Sequence, residues 1–175
     1  DEIETVKEEL KKLLERLEES SRKVERDLED LLRRSEESTR EVEKRLKELL
    51  EDVRRKLREK KELVREVEEE VRKLLEESRR SLEENRRLIE KLAKESRDSL
   101  REVEKRVREL LKKLDDGADV KEVLDRVREL ARTHHELNRE LLREAEESSR
   151  EHHRLNEELV DRVRKLVKEV EDRAR

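Results

Sequence analysis

The sequence predicts an all-α protein: a straight antiparallel three-helix bundle, up-down-up, with further assembly into an oligomer left open. Three observations predict it. Apolar and small polar residues recur at spacings of three and four along nearly the whole chain, which marks one face of an α-helix. The composition is that of long helices: 58% charged and 30% hydrophobic, without proline, cysteine, methionine or any aromatic residue. The one strong breaker, Asp115-Asp116-Gly117-Ala118-Asp119, contains the only glycine.

The first stripe starts at Ile3, Val6, Leu10, Leu13 and Leu17 and ends at Leu46, Leu49, Val53 and Leu57. It lapses over Arg58-Glu59-Lys60-Lys61-Glu62, resumes at Leu63-Val64 and runs to Leu114. Gly117 suits the left-handed position that ends a helix, and Asp119 suits the N-cap of the next, with Glu122 completing an acidic capping box. A third stripe runs from Val120 to Ala174. The expected organisation is a single bundle domain, 1–175, with helices at about 1–57, 62–115 and 119–175, each roughly 80 Å long at about 1.5 Å per residue. The 58–62 boundary carries no Gly, Pro, Asn or Ser, so its local chemistry also permits residues 1–114 to form one continuous helix.

The polar residues on the stripes favour a turn. In the first segment they are Ser20, Ser21, Ser35, Ser38 and Thr39; in the second Ser78, Ser81, Asn85, Ser96 and Ser99. The third carries His134, His135, Asn138, Ser148, Ser149, His152, His153 and Asn156. Folding the chain back near residue 59 and again at Gly117 brings them to common heights. One layer gathers Ser20, Ser21, Ser96, Ser99, His134 and Asn138. A second gathers Ser38, Thr39, Ser78, Ser81, His152 and Asn156. Ser35, Asn85, Ser148 and Ser149 form an intermediate polar set. The two layers are one pattern displaced by 18 residues, which carries Leu10 onto Leu28 and Leu46, and His134-His135 onto His152-His153. Eighteen residues in five turns need no supercoil, hence the expectation of straight helices.

All four histidines lie within Thr133–Asn156. On a helical wheel His134 and His152 fall at the centre of the stripe, while His135 and His153 lie about 100° away at its margin. Neutral imidazole has one donor and one acceptor nitrogen, which matches Ser, Thr and Asn partners in a buried network. A zinc site needs about four ligands at one point, and the two pairs are about 27 Å apart along the helix with no other strong ligand in either layer. Hydrolytic Ser-His chemistry lacks an orienting acid and a concave site. The expectation is therefore no enzyme, no metal and no cofactor. Acid and base are interleaved at a net charge of -4 with no aromatics, so neither a basic face nor a stacking platform for nucleic acid exists. No apolar run has membrane-spanning length, no targeting signal is evident, and a cysteine-free chain suits recombinant cytoplasmic expression. The expected partners are none (a monomer), copies of itself, or a designed helix docked on the third stripe, which Leu137, Leu142, Leu155 and Val160 broaden.

The 18-residue repeat, the aromatic-free Leu/Val core, the Glu/Lys/Arg surface, the DDGAD loop and the THHELN and EHHRLN segments together resemble a family: de novo designed parametric helical bundles with buried hydrogen-bond networks. The chain is most similar to the branch that places histidine in those networks to make pH-responsive assemblies. The resemblance covers the whole chain and implies that acid disrupts the networks. It also implies helical hairpins that pair into oligomers, from which three long helices and a first connection without loop residues depart.

Overall fold

The computed structural model describes every residue from Asp1 to Arg175. It contains three α-helices of 55 residues each: α1 Glu2–Lys56, α2 Lys61–Asp115 and α3 Val120–Ala174. The chain is an all-α three-helix bundle whose contacts cluster in two compact units. Unit 1 comprises Asp1–Asp30 and Ile89–Ala145; unit 2 comprises Leu31–Leu88 and Glu146–Arg175.

In unit 2 the cross-helix pairs give the helix directions. Glu36, Glu43 and Arg54 of α1 pair with Arg86, Arg79 and Glu68 of α2, so one number rises as the other falls and the helices are antiparallel. Thr39 and Lys56 of α1 meet His152 and Glu171 of α3, rising together, so α1 and α3 are parallel. The core here is Val42, Leu46 and Val53 of α1, Val67, Val71 and Leu74 of α2, and Leu159, Val163 and Val170 of α3. In unit 1, Lys7 pairs with Asp115 and Glu25 with Arg97, again antiparallel, around Val6, Leu10, Val103, Val107, Leu114, Val123 and Val127. No large hydrophobic side chain is exposed in either unit. The surface ion pairs are mostly half exposed and each contributes about 0–1 kcal/mol, so burial of the stripes is the dominant stabilising term.

The connections differ in how far local sequence specifies them. At the second, Gly117 has φ 93°, its N–H donates to the Leu114 carbonyl (3.2 Å) and the Ala118 N–H donates to the Lys113 carbonyl (2.9 Å). That pair of bonds is a Schellman motif. Asp119 occupies the N-cap, and its carbonyl accepts from the Val123 N–H at 3.2 Å. Its carboxylate accepts no backbone bond, so the expected side-chain capping box with Glu122 does not form.

The first connection corrects the continuous-helix alternative for residues 1–114. α1 stops at Lys56, and the chain turns through Leu57–Lys60 with every φ negative. The Lys60 N–H donates to the Leu57 carbonyl (2.9 Å), and the Leu63 and Val64 N–H groups donate to the Lys60 carbonyl (3.1 Å each). Leu57 is buried in the unit 2 core, and Leu63 and Val64 pack against it. Residues that all tolerate helix turn here because folding back buries two apolar stripes that a single helix would leave in water.

Space around Gly117 is open, with nothing within 4 Å of an added Cβ, so substitution there carries only the backbone term. Gly117→Ala is expected to lower unfolding stability by about 1–2 kcal/mol, read from the urea midpoint, with helix content unchanged. An unchanged midpoint would show that the left-handed turn is not needed.

Candidate functional site

Each unit holds one histidine layer. In unit 1, His134 is 1% exposed. Its Nε2 lies 2.7 Å from Ser21 Oγ and 3.2 Å from Asn138 Nδ2, and its Nδ1 lies 2.8 Å from Ser99 Oγ. Ser96 donates to Asn138 Oδ1 at 2.7 Å. In unit 2, His152 is 2% exposed. Its Nε2 lies 2.9 Å from Thr39 Oγ1 and 3.2 Å from Asn156 Nδ2, and its Nδ1 lies 2.7 Å from Ser81 Oγ. Ser78 donates to Asn156 Oδ1 at 2.6 Å.

Proton bookkeeping assigns the tautomers. Each Asn oxygen is occupied by a serine donor, so the amide nitrogen faces the ring, and an amide N–H can only donate. Nε2 of both rings is therefore the acceptor, taking the Ser21 or Thr39 hydroxyl proton with the amide as a second, longer donor. Nδ1 carries the hydrogen and donates to Ser99 or Ser81. Both imidazoles are neutral with both nitrogens engaged. The Thr39 and Ser78 hydroxyl protons are both spent, so their 3.4 Å approach is a contact between two oxygens rather than a further bond.

The layers are placed by the 18-residue repeat. His134 lies 113 residues beyond Ser21, and His152 the same 113 beyond Thr39, as two parallel helices with one repeat require. The intermediate set lies in unit 2. Asn85 donates to Ser35 (2.8 Å) and Ser149 (3.3 Å) and accepts from Ser148 (2.7 Å), while Ser35 donates to the Leu31 carbonyl (2.9 Å). These four have no polar counterparts one repeat away. Their equivalents are Leu17, Val103, Leu130 and Ala131 on one side, and Val53, Val67, Leu166 and Val167 on the other. A helix slipped by one repeat would place Asn85 in an apolar core with no partner, at a cost of about 1–3 kcal/mol per stranded group. The intermediate set thus distinguishes the native register from one the histidine layers alone would tolerate.

The structure brings together Ser21, Ser96, Ser99, His134 and Asn138 in unit 1, and Ser38, Thr39, Ser78, Ser81, His152 and Asn156 in unit 2. Ser20 is the correction. It is half-buried and bonds to neither His135 nor Asn138. Its repeat partner Ser38 does bond: it accepts from Asn156 Nδ2 at 2.9 Å and lies 3.0 Å from His153 Nδ1. His135 and His153 are both exposed. His153 Nε2 also reaches Glu157 Oε1 at 2.8 Å, and Glu157 escaped the sequence reading although its i+4 spacing was visible. The position equivalent to Glu157 in unit 1 is Arg139.

Burial holds the His134 imidazole below the ordinary histidine value, and neighbouring His135 acts in the same direction. Burial lowers His152 as well; the Ser35 backbone carbonyl, an acceptor for the ring, opposes the shift and neighbouring His153 adds to it. No three His, Asp or Glu side chains converge as a ligand cluster. A cleft between α1 and α2, bordered by Arg22, Glu25, Arg97 and Leu100, leads from solvent to Ser21 and Ser96. Compared with protein-family models, curated proteins and solved structures, the chain matches none.

Replacing the intermediate set by the residues of its own repeat (Ser35→Val, Asn85→Val, Ser148→Leu, Ser149→Val) is expected to keep or raise stability at pH 7.5. It should also populate a second register, seen as doubled amide peaks in two-dimensional NMR. A single clean peak set would assign register specification elsewhere.

Proposed function

We propose that this chain is a designed structural scaffold whose stability responds to pH through His134 and His152. The carrying observation is that each buried imidazole accepts at Nε2 from a hydroxyl and an amide, in a site without a carboxylate partner. A proton added at Nε2 turns the acceptor into a donor facing Asn138 or Asn156 Nδ2, and leaves a buried cation with no counter-ion. Composition, repeat and resemblance support the designed origin, and the absence of exposed large hydrophobic side chains supports a self-contained bundle over one that offers α3 to a partner.

The direction of the pH effect follows from the depressed folded-state values. The unfolded chain takes up these protons first, from about pH 6.5 downward. Stability contributed by neutral burial is therefore complete above about 6.5 and declines as the pH falls toward the folded-state value, by about 1.4 kcal/mol for each unit of depression per histidine. Unperturbed carboxyl groups have midpoints near about 3.9 to 4.3, so pH 7.5 to 5 is the informative window.

The expected outcome is a urea midpoint that falls from pH 7.5 to pH 5 in the parent and stays nearly level in His134→Asn/His152→Asn. Light-scattering mass over the same range reports whether opening is accompanied by a change in assembly. Parallel midpoints in parent and variant would overturn the reading.

A further inference from the structure

The two layers are near-copies in sequence, but only one is connected to a surface histidine. In unit 2 an unbroken chain of bonds runs outward from the core. Asn156 Nδ2 donates to Ser38 Oγ (2.9 Å), the Ser38 hydroxyl donates to His153 Nδ1 (3.0 Å), and His153 Nε2–H donates to the Glu157 carboxylate (2.8 Å). The direction is set from the outer end: the carboxylate can only accept, so His153 Nε2 carries the hydrogen, and Nδ1 of the neutral ring is left to accept from the Ser38 hydroxyl. In unit 1 each link is missing. Ser20 bonds to neither Asn138 nor His135, and Arg139 stands where Glu157 would be.

We propose that the exposed His153, acting through Ser38, sets which way the Asn156 amide faces and so controls whether buried His152 can accept a proton, whereas His135 has no such control over His134. The proposal rests on the reading of His152 as a proton-responsive residue.

The control works by hydrogen-bond direction. With a proton on Nε2, His152 can donate to Thr39 Oγ1 once that hydroxyl reverses, but Asn156 Nδ2 then faces it donor to donor unless the amide turns so that Oδ1 faces the ring and Nδ2 donates to Ser78. The turned amide also places Oδ1 against Ser38. While His153 is neutral and donating to Glu157, its Nδ1 draws the Ser38 proton outward, and two oxygens would oppose each other without a hydrogen between them. When His153 takes a proton from water at Nδ1, it donates to Ser38 instead. The Ser38 hydroxyl is released to donate to Asn156 Oδ1, and the turned amide has a partner at both Oδ1 and Nδ2 once the Ser78 hydroxyl reverses to accept. Asn138 meets no such obstacle, because its only other partner, Ser96, has a hydroxyl that can reverse.

The charged residues at the neighbouring positions differ in kind: mixed in sign around His153, basic around His135. Beside His153, one turn away, lie Arg150 and Glu157 on α3, with Arg34 and Glu41 (paired to Arg45) on α1. On α2, Glu77 pairs with Arg162 and Arg79 with Glu43. Beside His135 lie Arg132, paired to Glu129, and Arg139 on α3, with Arg16 and Lys23 on α1. On α2, Arg97 pairs with Glu25 and Asp98 with Lys94. What sets the units apart in bonding is the path through Ser38, His153 and Glu157, which has no equivalent in unit 1.

The test is a pair of matched substitutions read by NMR titration of the histidine ring protons. His153→Glu puts an acceptor-only group in place of the ring and keeps the Ser38 proton drawn outward at every pH above about 4.3. Its negative charge by itself raises the His152 midpoint; His135→Glu gives the corresponding effect on His134 in more basic surroundings, so the comparison with and without Ser38→Ala inside unit 2 is the deciding one. The expected result is that His134 rises in His135→Glu, while His152 in His153→Glu rises less, or falls, by a difference of about half a pH unit or more. Adding Ser38→Ala to His153→Glu should restore the full rise. No change on adding Ser38→Ala would overturn the proposal. All three sites are exposed or half-buried, and helix content at pH 7.5 checks folding. A parent whose urea midpoint is flat with pH would instead sink the stability reading, while the ring-proton midpoints still report whether the coupling exists.

Discussion

The constraint on which the rest depends is that a buried imidazole must have a partner at each nitrogen. His134 and His152 each sit in the interior of a bundle that is otherwise Leu and Val, where an unpaired nitrogen costs more than a satisfied bond contributes. Meeting that requirement takes a hydroxyl from α1, a hydroxyl from α2 and an amide from α3 at one height. The registers of all three helices are tied together by it, since moving any one of them strands a polar atom. The apolar layers make the units stable, and the polar layers select one alignment among several of similar apolar burial.

The same requirement makes the layers sensitive to protons. A neutral ring uses its acceptor nitrogen to receive from two donors, and protonation removes that acceptor without supplying a counter-ion. Hydroxyls adapt, since they donate or accept by rotation, whereas an amide adapts only by turning over. The amide is therefore the stiff part of each network, and what holds it in place decides how the layer meets a proton. In unit 1 it is held by one reversible hydroxyl, and in unit 2 by two, one of them tied to the surface through His153. Repetition of sequence does not guarantee repetition of chemistry, because a single residue at the margin, Glu157 against Arg139, changes what the outer ring can bond.

Stripe, composition and repeat determined by themselves that the chain forms long helices, where Gly117 ends one of them, and that His134 and His152 face inward while His135 and His153 lie at the margin. These follow from the 3.6-residue period and the left-handed preference of glycine, both local properties. Tertiary structure alone decided the rest. The turn at Leu57–Lys60 is marked in the sequence by the lapse of the stripe and the common heights of the polar residues but has no breaker residue, and it forms because Leu57, Leu63 and Val64 find a core when the chain folds back. Ser21 enters its layer without Ser20, whereas Ser38 and Thr39 both enter theirs, a difference that the repeat along one helix does not encode. Asp119 caps by position and not by its carboxylate. The chain from Asn156 through Ser38 to His153 depends on distances between helices, which no period along one helix encodes.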